Sequence, residues 1–422
     1  MPHSASRRNH SAIYSYLYCV LLLTVLYLFL PYGGYERMME GKFVCFFILS
    51  TAYLAAMIHG HAVPIGGYDG ADLAALGYLA CTVLSALASP YGRATLLGGP
   101  RRDGLVTVFL YVLCYLALSR TLCPRRELLY LAAAAASLGA LLTLIQLAGY
   151  DPLRLYPDAL TYHDGDVAYA GFFAGPSGNV DFTAFLLALA LCVLTAALIH
   201  LRLPVLLAPT LLLLITLLRL RVSAALLGCL FAVLCAPALF LPAHRGKAML
   251  ASLLALCAVL LLLLRYDGAQ PTLLEAARLL RGQADGSFRS GRVSIWRQLV
   301  PLIRSRPLLG GGPGTLYLRD LEPFLWTGPD GPIPSDITAA HNEYLHILAD
   351  QGAPALLCYL ALLGLSLARC FRRAPEPLAV IAGAGLLCYA AMAAFSISCC
   401  ITTPYVWLLL ALARRIPAQR SQ

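Results

Sequence analysis

The sequence predicts an all-α polytopic membrane protein, with about 12 transmembrane helices and a folded helical outer loop. Three observations lead there. Of the 422 residues, 60% are hydrophobic and 12% are charged, about half the ~25% charged fraction of a soluble domain; the mean hydropathy is +0.74. The apolar residues gather in runs of roughly 18 or more, the length that crosses a bilayer. The net charge of +10 comes mainly from arginines in the short connections between those runs, as a topology signal would. A nucleic-acid partner is therefore not expected.

In chain order the runs fall at 13–31, 42–58, 72–89, 104–120, 127–148, 179–199, 203–219, 222–241, 248–264, 353–368, 377–395 and 398–413. The first lacks a small-residue cleavage site and reads as a retained helix rather than a signal peptide. The last two are separated only by "SISCCITTP". The 14 cysteines lie in or beside the runs, with none between Asp267 and Gly352. They read as small membrane-core residues, with neither a disulfide framework nor zinc spacing.

An even number of spans puts both termini on one side. Arg7, Arg8, Arg414, Arg415 and Arg420 flank the ends, and the same-side loops carry Arg120, Arg125, Arg126, Arg202, Arg245, Lys247, Arg369, Arg372 and Arg373. The opposite short loops carry Arg37, Lys42, Arg93, Arg101, Arg102 and Arg154. The positive-inside rule then places the termini in the cytoplasm and two longer segments outside, 149–178 and 265–352. The chain divides into helices one to nine (1–264), an extracytoplasmic loop (265–352) and the last three helices with a tail (353–422). So long a loop is expected to be folded. "PTLLEAARLLRG" (271–282) reads as a short amphipathic helix at the membrane surface. "SIWRQLVPLIRSRP" (294–307) reads as a second helix kinked near Pro301, and "LLGGGPGTL" as a tight turn.

Ionisable residues at a membrane edge are costly and need an explanation. Arg219 and Arg221 stand at an outward boundary, where they either snorkel to the interface or hold an anion in a cavity. Arg289, Arg292 and Arg297 surround a helix start, where free N–H groups favour anions; the plainer reading is a solvated loop with Asp285 as partner. An arginine fork matches phosphate oxygens in a bidentate way. His341, in "AAHNEYLHILADQG", can take a proton from a hydroxyl or simply pack as a helix-start ring. His346 is five residues on, which is not zinc-protease spacing, and "GGGPG" lacks the GK[ST] of a phosphate-cradling loop. In "GGPRRDGL", Arg101 and Arg102 break the charge rule, as a surface patch for lipid head groups or as an extra contact for a diphosphate or acidic glycan.

Together, "GPSGNVDFTAFLLAL" (175–189), "RVSAALLG" (221–228), "GRVSIWRQLVPLIRSRPLLGGGPGTL" (291–316) and "AHNEYLHILADQGAPALL" (340–357) resemble the successive motifs of the bacterial O-antigen ligase and O-antigen polymerase superfamily. Its members are C-type integral membrane glycosyltransferases. The resemblance implies a bacterial inner-membrane enzyme whose active site faces outward. It would transfer a glycan from undecaprenyl diphosphate to an acceptor hydroxyl, without a metal or other cofactor. Carried over, Arg221 and Arg292 would hold the diphosphate and His341 would deprotonate the acceptor. The family's membrane arginine usually follows Ser and precedes a small residue. Here Arg221 follows Leu220 and precedes Val222, so Arg219 is the alternative. The family's Asn-rich element becomes Asn179 and Asp181; these, with Arg289, Asn342, Arg101 and Arg102, are candidate substrate contacts.

Fixed arginines at a poorly hydrated boundary stabilise the charge that grows on the leaving oxygen, and attack opposite the diphosphate inverts the anomeric centre. The lipid tail needs a lateral opening, which the Ala/Gly-rich runs 131–140 and 382–393 would line or pack beside. The acceptor is left open between a lipid core, a growing glycan, a protein and a wall polymer. A lipid-linked glycan transporter and a non-catalytic assembly protein are the competing readings. A transporter should carry polar residues in helices broken at mid-membrane, whereas the polar clusters here gather in the outer loop.

Overall fold

A computed structural model describes residues 2–60, 67–156, 173–268, 271–283, 292–328 and 331–416. They form a helical bundle: α1 (Pro2–Leu21), α2 (Met38–His59), α3 (Gly70–Ala88), α4 (Ala94–Leu97), α5 (Leu105–Thr121), α6 (Arg126–Leu147), α7 (Val180–His200), α8 (Leu207–Leu220), α9 (Ser223–Cys235), α10 (Pro237–Phe240), α11 (Arg245–Leu264), α12 (Pro271–Leu280), α13 (Arg292–Ser305), α14 (Glu343–Gln351), α15 (Ala353–Arg373), α16 (Pro377–Met392) and α17 (Thr403–Arg415). One antiparallel hairpin, β1 (Phe324–Gly328) and β2 (Gly331–Ser335), interrupts the helical outer segment.

Each apolar run of the sequence coincides with a helix, but the runs differ in reach. Eight helices among the described residues are long and apolar enough to cross a membrane. A ninth span is obtained if the bent pair Ala94–Arg101 and Leu105–Thr121 counts as one. The apolar helices His10–Leu26 and Pro204–Leu220 are shorter, and α17 has 13 residues. Twelve full-length spans are thus not what the structure supports; some helices are too short to cross by length alone.

Burial sets the order of the bundle. The spans built on α7 and α16 are 72% buried, whereas Pro242–Leu264 is 6% buried and lies at the periphery. Small residues allow the central helices to approach. A Cβ on Gly228 of α9 would come within 2.8 Å of the Cys388 carbonyl in α16, and one on Gly385 would meet Leu409. The Sγ atoms of Cys192, Cys229 and Cys388 lie within 4.8 Å of one another where α7, α9 and α16 meet. Lys42 is not a loop residue: it is buried in α2, and its Nζ donates to the carbonyls of Leu26 and Tyr27, near the end of the first apolar helix.

The end of the bundle with Arg120, Arg369 and Arg414 is tied by ion pairs. Asp69 caps α3 in a capping box with Asp72. The buried Asp72 carboxylate meets Arg120 at 2.9 Å and Arg414 at 3.1 Å; Asp69 pairs with Arg369, and with Arg414 at 3.0 Å. Arginines that signal topology in the sequence therefore also cross-link α3, α5, α15 and α17. Removing one partner of a buried pair strands the others. Asp72→Ala is expected to cost roughly 3–5 kcal/mol of stability, against ~0–1 kcal/mol for an exposed pair. Thermal unfolding in detergent checks this, with Glu40→Ala as the control because Glu40 meets Arg102 at 3.8 Å on the surface.

Candidate functional site

The opposite end of the bundle gathers several separate stretches of chain. Gly98 and Gly99 take positive φ, and Gly98 packs its Cα side against Gly104 and Asp103, so the chain turns by 94° between the short helices and α5. The turn projects Arg101 sideways. Its Nε donates to Thr338 Oγ1 at 3.1 Å, and its guanidinium lies 5.9 Å over the Phe182 ring. Residue 338 stands just before His341. Trp296 of α13 donates Nε1–H to the Ala340 carbonyl at 2.9 Å, pinning the same turn from the other side. Asn342 then caps α14 by accepting from the Leu345 N–H. His341 itself has φ +50°, a left-handed conformation that costs a non-glycine residue energy and persists only where the surroundings hold it.

A cavity of about 10 Å³, the size of one water, lies against this imidazole. Asp181 and Phe185 of α7, Val222 and Ala225 at the start of α9, and Met392 form its other walls. His341 is pushed down to about 3 from the ordinary histidine range. Burial is the largest cause, followed by the positive charges of Arg101 and Arg292. The same two arginines act on Asp181. Arg292 opens α13 with its Nε enclosed and without a hydrogen-bond partner among the described residues. The result is an imidazole kept neutral by burial and by two guanidinium charges, with Asp181 across a small cavity.

Behind it lies a second polar layer. His346 Nε2 is 3.4 Å from Asp350 and 3.7 Å from Asp103, and burial lowers its basicity as well. Asp350 pairs with Arg319 and accepts from the Gly314 N–H at 2.8 Å. Glu343 accepts from Tyr359, whose hydroxyl also meets that of Tyr389. The glycine turn explains itself here: a Cβ on Gly310, Gly312 or Gly314 would fall within about 2.4 Å of Asp350, Ser89 or Gly98 respectively. "GGGPG" is a docking turn, made of glycine because backbone lies against backbone.

Residues 184–360 match the sequence profile described as O-antigen ligase. Over that stretch the chain is similar to the O-antigen ligase family. No curated protein matches it significantly.

The O-antigen ligase match contains Arg219, Arg221, Arg292, His341 and Asn342, but Arg101 and Asp181 come from outside it. Of the arginines singled out in the sequence, Arg292 and Arg101 reach the site. Arg219 and Arg221 do not join them: both side chains are exposed, and among the described residues no ion pair links either to the cluster. Arg221 takes φ +55° at the end of α8, and only the next residue, Val222, lines the cavity. The Arg221 side chain is exposed. Asn179 and Asn342 both use their side-chain oxygens as helix caps. Arg102 faces Glu40 and the Phe43 ring rather than His341. Arg289, like Gly291 and Asp285, lies outside the described residues. Sequence reasoning missed Asp103, His346, Asp350 and Arg319. The i, i+4 spacing of His346 and Asp350 on one helix was a readable signal; nothing local marks Asp103 as their partner.

Two outcomes test this geometry. Arg101→Gln removes a positive neighbour, so the imidazolium becomes easier to form and the pKa of His341 rises from about 3, as NMR of ring-labelled histidine will report. Gly314→Ala forces a Cβ into the Gly98 backbone and lowers the unfolding midpoint, whereas Gly364→Ala, which meets open space, leaves it unchanged or raised.

Proposed function

We propose that the protein is a glycosyltransferase of the bacterial inner membrane, with its site on the outer face, which moves a glycan from undecaprenyl diphosphate to an acceptor hydroxyl. The observation that carries this reading is the convergence at one turn: Arg101 donates to Thr338, Trp296 of the helix that Arg292 opens donates to the Ala340 carbonyl, and His341 shares a cavity with Asp181. Two cations beside a neutral base suit a reaction in which an anion departs and a hydroxyl attacks.

The groups of this chain divide the work. Arg292 and Arg101 hold the diphosphate, whose charge increases as the glycosyl C–O bond breaks. Arg221, whose side chain is exposed, meets the diphosphate or its lipid on entry. His341 accepts the proton of the acceptor hydroxyl as its oxygen bonds to the anomeric carbon, on the face opposite the departing diphosphate, so the centre inverts. Asp181, across the cavity, orients that hydroxyl. A basicity near 3 would make His341 a poor base if it stayed there. A bound diphosphate offsets the two guanidinium charges, so the donor itself raises the basicity of the imidazole. Deprotonation is thereby coupled to donor occupancy, and an unoccupied site is protected from idle proton uptake. The arginines do electrostatically what a divalent cation does in other diphosphate-dependent transferases.

The outer-face placement rests on the arginine distribution: the tied end carries the excess of positive charge expected of a cytoplasmic side. The acceptor sets the branch of the superfamily. A lipid acceptor makes the protein a ligase, a growing glycan makes it a polymerase, and a protein makes it an O-oligosaccharyltransferase.

In vitro transfer from a defined undecaprenyl-diphosphate glycan, with these acceptors offered separately and a chelator present, tests the reading. Transfer should survive the chelator. His341→Ala should slow it by ~10²–10⁴-fold, and Arg292→Gln and Arg101→Gln should each slow it by ~10²–10³-fold. Arg102→Gln should leave it near normal. Full activity in the His341 and Arg292 variants would refute the assignment.

A further inference from the structure

A larger cavity, of about 500 Å³, opens at the other end of the bundle and takes no part in the site around His341. It lies between α1, α6, α7, α16 and α17. Tyr27, Ala136, Leu186, Val193, Ile381 and Leu408 represent its mostly apolar walls. The volume is that of a ligand site. The cavity follows α7 from Leu201 to Leu186, fifteen residues or about 22 Å at the helical rise. That exceeds the ~15 Å of hydrocarbon in one leaflet, so one acyl chain fits along it.

Its mouth is cationic. Arg125, Arg126 and Arg415 line that end. Arg125 lies 5.4 Å over the Tyr16 ring. Arg415 donates one Nη to the Arg120 carbonyl, while its Nε is enclosed without a hydrogen-bond partner among the described residues. Among the described residues lining the cavity, Glu376 is the carboxylate, and it is engaged in capping α16 at the Ala379 N–H. Three guanidinium groups thus face the mouth of an apolar slot with one occupied acid between them.

We propose that this slot binds one anionic phospholipid, with an acyl chain along α7 and its phosphate at Arg125, Arg126 and Arg415. A cationic mouth distinguishes such a lipid from a zwitterionic one, and an apolar slot of acyl length distinguishes it from a free phosphate. The glycan donor cannot supply the same phosphate, because a diphosphate at His341 is at the opposite end of the bundle. The inference therefore stands apart from glycan transfer. The lipid would fill the gap between α6 and α7 and brace α7, whose first turn carries Asp181.

The test is native mass spectrometry of the delipidated full chain, titrated with phosphatidylglycerol, phosphatidylcholine and inorganic phosphate. The expected result is one retained phosphatidylglycerol, with a preference over phosphatidylcholine of roughly tenfold, and no retained phosphate. Arg125→Gln with Arg126→Gln and Arg415→Gln should abolish the preference. Ala136→Trp, which fills the slot, should remove lipid binding altogether. If the triple variant melts early, the single exposed change Arg125→Gln should still reduce the preference severalfold. Equal retention of the two lipids, or a preference that survives the arginine changes, overturns the proposal. So does polyprenyl diphosphate displacing the bound lipid while excess phosphatidylglycerol does not.

Discussion

Asp350 is fully buried at the end of α14, and its carboxylate and carbonyl tie together most of what surrounds the candidate site. The carboxylate takes Arg319 and the Gly314 N–H, and it faces His346. Its main-chain oxygen accepts from the Gly312 N–H at 2.7 Å and from Ser85 of α3. A buried carboxylate without such partners would carry a desolvation penalty of several kcal/mol. With them, it locks the glycine turn, α3 and α14 into one unit. The strained turn at His341 is held at the other end of α14. The imidazole is therefore placed by a polar network, in a chain whose remaining contacts are mostly apolar and less directional.

The same logic runs through the bundle at different depths. Lys42 closes carbonyls near the end of the first apolar helix, Asp72 joins two arginines, and Arg319 answers Asp350. Each charge lies where water is scarce and each is satisfied by name. Near His341 some polar atoms stay open: Arg292 Nε, Arg319 Nε and His346 Nδ1 are enclosed and without a partner among the described residues. An enclosed donor without a partner, on a cation, suits an incoming anion.

Much of the architecture was legible along the chain, because apolar run length and arginine placement are local properties. The positions of the helices followed, and so did the folded character of the described part of 265–352, which has its own small core around Ile295, Leu299, Leu316 and Ile337. The His341 and Arg292 motifs were legible for the same reason: both sit in short stretches with a recognisable order. Span count was less legible, since hydropathy does not distinguish a helix that crosses from one of 13 residues that stops short.

By itself the sequence determined that this chain is a helical membrane protein and where its helices begin. It also pointed to His341 and Arg292 as candidate site residues. Only the tertiary structure decided which arginine stands beside His341. Arg101 is brought to Thr338 across 237 residues by the packing of α5 against its neighbours, while Arg221, inside the recognisable motif, turns outward. Periodicity acts over a few residues of one helix; convergence of charges depends on how separate helices pack. That depends on small residues such as Gly98, Gly228 and Gly314, whose effect lies in letting distant backbones touch.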